Sequence, residues 1–318
     1  MHALTAYNKA YGSKKRTVLT INMYSATYHT MRRNIEAIFE GYDTQDGAGV
    51  KLHRVFGGQD SAAYTDPFLL LDNFGSKDRK DYEKGFPWHP HRGIETVTYV
   101  LDGKVKHRDS TGVSGTIGSG EIQWMTAGSG IFHEEMPEVD PNGNKGMQLW
   151  VNLPRASKMQ APVYRNVGKN DAPEVKMPNG IRVKVVAGRL GDAEGPVKGL
   201  SNPIEYYHIS MPLGSSYESD IESARTALIY VISGRLKLDR DRSIAAGAAA
   251  TFGRSGDSVS FVAEERNTEA LLLTGIPLRE RIAWYGPIVM NTREELVKAY
   301  EELQNGSFIK GSADVEDL

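Results

Sequence analysis

The sequence contains no cysteine. Disulfides, thiolate zinc fingers, iron–sulfur clusters and thiol nucleophiles are therefore excluded, and any metal must be held by imidazole, carboxylate or water. A cysteine-free chain also suits a reducing compartment, so the expected location is cytoplasmic. Long apolar runs are missing too. Nothing approaches the ~18 to 20 residues of a spanning helix, and the longest weakly polar stretch, Ile244 to Phe252, is short and alanine-rich. Net charge is nearly absent, at −2 over 318 residues, which gives no global attraction to nucleic acid or to an anionic membrane. Neither is expected as a direct partner. Acidic residues are absent from the first 35 positions, which carry Lys9, Lys14, Lys15, Arg16, Arg32 and Arg33. Such a basic leader reads either as an organelle-targeting peptide or as a poorly ordered extension over 1–32, with Met23 and Met31 as alternative starts; the second reading is preferred. It has no apolar core of signal-peptide type, so export by that route is not expected.

What remains is an ordinary globular composition, 40% apolar and 25% charged, at a length that suits two domains. The 33 glycines and 14 prolines punctuate short apolar or alternating runs, as in Glu95 to Leu101 followed by Asp102-Gly103. Asp-Gly between two such runs is a hairpin signal, and its recurrence predicts an all-β barrel or sandwich. There is an internal echo: Tyr99 to Lys106 (YVLDGKVK) matches Tyr230 to Lys237 (YVISGRLK) at an offset of 131, and Gly120 to Trp124 is echoed loosely by Gly256 to Ser260. A repeat that long is a whole domain, so two similar β-domains follow one another, joined near Pro162 to Gly180. Helix is expected mainly at the end. Thr292-Arg-Glu-Glu295 has capping-box form, Leu296, Ala299, Tyr300 and Leu303 recur at helical spacing, and Asn305-Gly306 is a stop, which predicts a helix over 292–304 packed across a barrel. The acidic tail, 309–318, is expected to be loose.

Histidine is scarce, eight in all, yet His89-Pro90-His91 is answered by His133-Glu134-Glu135. Residues two apart on a strand share a face, so one strand offers two imidazoles in one direction and another offers an imidazole and a carboxylate. From spacing alone, a metal set and four ordinary barrel side chains both stay open. Were a metal present, mixed imidazole and carboxylate ligation would suit iron, manganese, cobalt, nickel or copper better than a closed structural zinc site. Shifting His89, His91, His133 and Glu135 by 131 lands on Asp220, Glu222, Glu264 and Arg266. The second copy has no matching histidine, and His208 reads as a packed or surface residue, so only the first domain is expected to bind metal.

Other residues nearby take blander readings. Glu134 points the other way on a strand. Glu95 is on His91's face by parity if no bulge intervenes, as either a support to the site or a satisfied barrel residue. His107 is expected to be exposed or bonded to backbone, and His29 and His53 are unassigned. Trp88, Trp124, Met125, Phe132 and Trp150 are expected mainly as core, with a role as walls for a planar substrate kept open. Arg92, Arg54 and Lys84 are read as solvated surface charge.

These residues together resemble the pirin family of the cupin superfamily. The resemblance is carried by Asp66-Pro-Phe-Leu-Leu-Leu-Asp72, by Phe86-Pro-Trp-His-Pro-His-Arg-Gly-Ile-Glu-Thr-Val-Thr-Tyr99, by Gly120 to Pro137, by Gln148-Leu-Trp-Val-Asn-Leu153 and by Gly286-Pro-Ile-Val-Met-Asn-Thr292. It covers about Arg33 to Phe308. It implies a bicupin: two tandem antiparallel double-stranded β-helix (jelly-roll) barrels with a C-terminal helix, one spanning 33–165 with the metal and one spanning 166–308 without. The implied ligands are His89, His91, His133 and Glu135, around Fe(II) first, with Mn, Co, Ni or Cu as alternatives; the glutamate that general cupins use, here Glu95, is not among them. The chain departs from the family's text at Arg281, where proline commonly follows Leu-Arg-Glu, and at Glu134, where a small residue is frequent; neither touches the ligands. Two activities are attributed to the family. One is quercetin 2,3-dioxygenase activity on a flavonol and O2 with release of CO; in this chain Glu135 is expected to take the substrate proton. The other is metal- and redox-dependent regulation of a transcription factor or metabolic enzyme through protein binding. The dioxygenase is the expectation adopted, in a monomer.

Overall fold

The computed structural model describes residues 31–311 and 314–317. The basic leader lies outside the described residues except for its last two positions. Arg33 is buried, and its guanidinium donates to the carbonyls of Ile221, Glu222 and Arg225.

Each half of the chain forms two antiparallel sheets that face each other. In the first half, an eight-stranded sheet includes Phe68–Ser76, Asn144–Asn152, Ile94–Asp102 and Ile122–Thr126 as neighbours. Opposite it lies a four-stranded sheet in the order Phe86–His91, Ile131–Pro137, Lys104–Asp109, Ser114–Gly118. The second half repeats the plan, with a seven-stranded sheet built around Thr226–Ser233 and Thr268–Gly275 and a four-stranded sheet in the order Ser216–Asp220, Ser258–Ala263, Arg235–Lys237, Ser243–Ala245.

The Asp102-Gly103 signal does not close a hairpin. Ile94–Asp102 and Lys104–Asp109 belong to different sheets, and Gly103, at φ 82°, is the corner by which the chain leaves one sheet for the other. Gly234, at φ 76°, does the same between Thr226–Ser233 and Arg235–Lys237. The repeat therefore marks a jelly-roll corner, where a sharp turn of positive φ redirects the strand rather than doubling it back.

The two large sheets pack back to back. Val97, Tyr99, Ile122, Trp124, Leu149 and Val151 from the first half form one core with Tyr206, Leu228, Tyr230, Leu271 and Leu273 from the second. Alternate residues of the second half's strands, such as Tyr207, Ile209, Ile229, Val231 and Leu272, face inward to fill that barrel. Burial on both faces explains why Thr226 to Ile232 reads as a continuous apolar run.

Two expectations change. Ile35–Phe39, placed at the start of the first barrel, pairs with Ala249–Phe252 at the edge of the second barrel's sheet. The acidic tail is not loose throughout: Asp314–Asp317 runs parallel to Val163–Val167 as an added edge strand. Helix lies mainly at the end, as expected, and the further α-helix among the described residues is the short α1 (Gln59–Thr65). The predicted terminal helix is present as α2 (Arg293–Gln304). Thr292 accepts from the Glu295 amide at 3.2 Å and the Glu295 carboxylate accepts from the Thr292 amide at 3.0 Å. Its Leu296, Ala299, Tyr300 and Leu303 pack with Phe308 against Phe132 of the first barrel. No helix among the described residues is long and apolar enough to cross a membrane.

Candidate metal centre

Phe86–His91 carries two prolines, which a central strand would reject because they cannot donate to the ladder. It sits at the edge of its sheet, where that loss is tolerated. His89 pairs directly with His133 across the ladder, and Ile131 with His91. One ring nitrogen from each of His89, His91 and His133 lies within 4.8 Å of the other two, with His91 and His133 buried. The Nε2 of His89 is 3.0 Å from that of His91 and 3.0 Å from that of His133.

Tautomers follow from the partners. His89 Nδ1 faces the Pro87 carbonyl at 2.8 Å and His91 Nδ1 faces the Pro287 carbonyl at 3.2 Å. A carbonyl only accepts, so both Nδ1 atoms carry hydrogen and both Nε2 atoms present lone pairs. Burial, together with the neighbouring rings, holds His91 and His133 well below the usual imidazole range, which keeps them neutral. Lone pairs aimed at each other repel unless a cation lies among them. Donors about 2.1 Å from one metal and at right angles lie ~3.0 Å apart, as His89 does from each of the other two. The three histidines thus fit a divalent metal, and the second nitrogens of His89 and His91 show the backbone support that metal-bound imidazoles commonly have, while His133 Nδ1 is buried without a hydrogen-bond partner.

Glu135 is not in the group of mutually close ligand atoms. One of its oxygens accepts from Thr98 Oγ1 and the other from Gln148 Nε2, both at 2.7 Å. Gln148 is oriented in turn by Trp150, whose indole donates to Gln148 Oε1 at 3.1 Å. The spacing argument missed Thr98 and Gln148. Both stand in the quoted family text, and Gln148 and Trp150 share a face at i, i+2, but polar residues on a buried strand face give no signal until their partner is known.

Glu95 is brought nowhere near the histidines. Gly93 takes φ 77° between His91 and the next strand, which resets the parity. Glu95 then lies on the face opposite Thr98, buried, and accepts from Trp124 Nε1 at 3.1 Å and Thr126 Oγ1 at 2.8 Å. It is a satisfied residue between the barrels. His107, expected at the surface, is buried and bonded to Gln123 rather than to backbone; it pairs with Glu135 across the ladder. His208 is packed, with Nδ1 at 2.9 Å from Tyr99 Oη across the barrel interface, and His53 binds Asp43. Glu134 points outward to Arg108. Two arginines read as solvated are not. Arg92 is buried, paired with Glu302 at 2.7 Å, and Arg54 holds Asp72 at 2.8 Å and Asp46 at 3.0 Å.

Beside the histidines opens a cavity of about 580 Å³, lined by His89, His91, Phe74, Phe86, Trp150 and Trp284 among others. Aromatic walls around a few convergent polar groups are the usual makeup of a small-molecule site.

The second barrel has no counterpart. Starting from the repeat, Lys106 corresponds to Lys237; these pair with Met136 and Val262. Counting back along those strands and across the ladders sets His133 against Val259, Glu135 against Phe261, His89 against Ser219 and His91 against Ile221. The simple shift to Asp220, Glu222, Glu264 and Arg266 is thus replaced by a largely apolar set, because strand lengths differ between the copies.

Two family models match the chain: Pirin over residues 49–151 and the Pirin C-terminal cupin domain over 206–309. A pirin-like protein of Caulobacter vibrioides is 42% identical over 278 residues, 87% of this chain and 99% of the relative. A crystal structure of quercetin 2,3-dioxygenase from Acinetobacter baumannii superposes with a TM-score of 0.81 at 32% identity, covering 87% of this chain and 99% of that one. The bacterial pirin YhhW of Escherichia coli, solved in complex with nickel(II), shares the fold at a TM-score of 0.60 and 20% identity over 76% of this chain and 98% of its own. With both barrels matched and relatives aligned over most of its length, the chain belongs to the pirin family.

Proposed function

We propose that this protein is a metal-dependent dioxygenase of quercetin 2,3-dioxygenase type, which opens a flavonol ring with O2 and releases CO. The observation that carries the reading is the convergence of three histidine nitrogens at the edge of an aromatic-walled cavity large enough for a small planar molecule. His89, His91 and His133, with Glu135 as fourth ligand, would hold the metal, Fe(II) first and Mn, Co, Ni or Cu as alternatives. When bound, that metal supplies Lewis acidity toward the flavonol 3-oxygen and open positions for substrate and O2.

The protein's own part is positioning and proton transfer. Glu135 takes the proton of the 3-hydroxyl. Each of its oxygens accepts one hydrogen bond, from Thr98 or Gln148, and retains capacity for a metal or a proton. Thr98 and Gln148, the latter a cavity-lining residue, hold the carboxylate in place, and Trp150, Phe74 and Phe86 exclude water from the reacting ring. The A. baumannii quercetin 2,3-dioxygenase supports the substrate class by its similarity over most of both chains.

Metal-dependent loss of quercetin absorbance under air is the expected result, abolished in Glu135→Gln while metal stays bound. Absence of turnover with every one of Fe, Mn, Co, Ni and Cu overturns the proposal.

A further inference from the structure

We propose that the C-terminal segment, residues 283–308, completes the site of the other barrel, and that its Trp284 selects planar aromatic substrates; the substrate class rests on the function proposed above. The segment leaves the second barrel after Thr268–Gly275 and forms a small hairpin, Ala283–Tyr285 with Ile288–Met290, before α2. It is anchored on the residues that directly follow a histidine of the site. Ile288 forms a parallel bridge with Arg92, and the Val289 amide donates to the Arg92 carbonyl at 3.1 Å. Lys158, fully buried, donates to the carbonyls of Gly93 and Val289 at 2.8 and 2.9 Å and to Asn152 Oδ1 at 2.7 Å. The Arg92 guanidinium reaches Glu302 and the Phe308 carbonyl, both at 2.7 Å, and lies 4.0 Å over the Phe308 ring.

Anchoring there places two groups at the cavity. The Pro287 carbonyl receives His91 Nδ1 and so fixes that ring. The Trp284 indole stands 5.9 Å from Trp150 at 37°, and Trp150 is edge-on to His91 at 5.1 Å. Both indole N–H groups are already used: Trp284 Nε1 donates to the Gly286 carbonyl at 2.8 Å and Trp150 Nε1 to Gln148. With their polar edges committed, the two indoles can offer a ligand only their π faces, which reward a flat ring and give nothing to a puckered one. Charge agrees. Among the described residues lining the cavity, Arg54 is the only cation, and it is already shared by Asp72 and Asp46. A carboxylate substrate would meet two carboxylates and no free cation, whereas a neutral polyphenol meets hydrogen-bond acceptors for its hydroxyls.

The test is anaerobic binding to the metal-loaded full chain, so that no turnover intervenes. Quercetin is compared with its 2,3-dihydro analogue, which keeps the hydroxyls and loses planarity, in wild type, Trp284→Leu and Trp284→Phe; metal content and thermal midpoint are read alongside. Wild type should bind quercetin at least about fivefold more tightly than the analogue. Trp284→Leu should lose about tenfold for quercetin and little for the analogue, and Trp284→Phe should restore most of it. Loss of less than twofold in Trp284→Leu, equal loss for both ligands, or no binding by wild type overturns the proposal. If binding follows the expected pattern but wild type does not consume quercetin in air, the dioxygenase reading falls and the role of Trp284 stands.

Discussion

The two barrels of this chain share a strand plan and differ in what their interiors hold. Where the first places His89, His133 and Glu135 on facing strands, the second has Ser219, Val259 and Phe261, with Phe261 stacked on Tyr217 at 5.2 Å. One interior is hollow and polar, walled by aromatics; the other is filled by aliphatic and aromatic side chains. A polar interior forgoes burial that would stabilise it, by roughly 1.5–3 kcal/mol for each large apolar side chain it does without. The filled barrel makes up that loss through the shared sheet-to-sheet core and lends its C-terminal segment as a wall. Retaining a barrel that lacks these histidines is thereby explained by its mechanical role.

Substitutions in the two interiors should part stability from metal binding. Phe261→Ala should cost about 3–5 kcal/mol in urea unfolding through the cavity it leaves, while the folded protein keeps its full metal stoichiometry. His133→Ala should abolish tight metal binding, measured by equilibrium dialysis, and lower the stability of metal-free protein by less than Phe261→Ala does. If the two variants lower metal stoichiometry alike, the division of labour between barrels is wrong.

Gly93→Ala tests the joint between them. At φ 77°, a Cβ on residue 93 would sit 2.0 Å from the Val289 carbonyl oxygen, a backbone atom that cannot turn aside. Strain and a broken anchor should cost roughly 2–3 kcal/mol. Because Arg92 and Gly93 adjoin His91, metal affinity should fall as well, by about tenfold, through loss of the Pro287 carbonyl. Lowered stability with unchanged metal affinity would mean that the strap does not position His91.

Much of this was legible in the sequence, and the failures have common causes. Turn residues and alternation predicted an all-β barrel or sandwich, the internal repeat two such domains and the family resemblance the barrel form, and the i, i+2 histidines met where parity put them, because Phe86–His91 is regular across those positions. Parity failed at Glu95 because one glycine of positive φ lies between it and His91. The hairpin signal at Asp102-Gly103 failed because a local turn cannot say which sheet receives the next strand. Arg92, Arg54 and Lys158 were illegible for another reason: a lone basic residue reads as surface, and each is held, Arg92 and Lys158 fully buried and Arg54 partly so, by partners 18 to 216 positions away or by carbonyls that carry no side-chain signature. The strap was beyond reach for the same reason, since Trp284 and Pro287 lie nearly 200 residues from the histidines they adjoin.

The smallest expected effect concerns the Lys158 pin. Burial strips the ammonium of water and pulls it down to about 7 from 10.5, with Glu280 and Glu295 opposing. Below about pH 7 both folded and unfolded chains hold the proton. Between about 7 and 10.5 the unfolded chain holds it while the folded one releases it, so unfolding takes up protons and this group's contribution to stability rises with pH across that window. Lys158→Met should flatten the rise in urea midpoints from pH 7 to pH 9.5, and should lower the midpoint at every pH because the carbonyls of Gly93 and Val289 lose their donor. Parallel pH profiles for wild type and variant would show that the three acceptors hold the ammonium charged throughout. The pin would then join the barrels as a permanent charge, and the strap would stay closed over the site across the whole range.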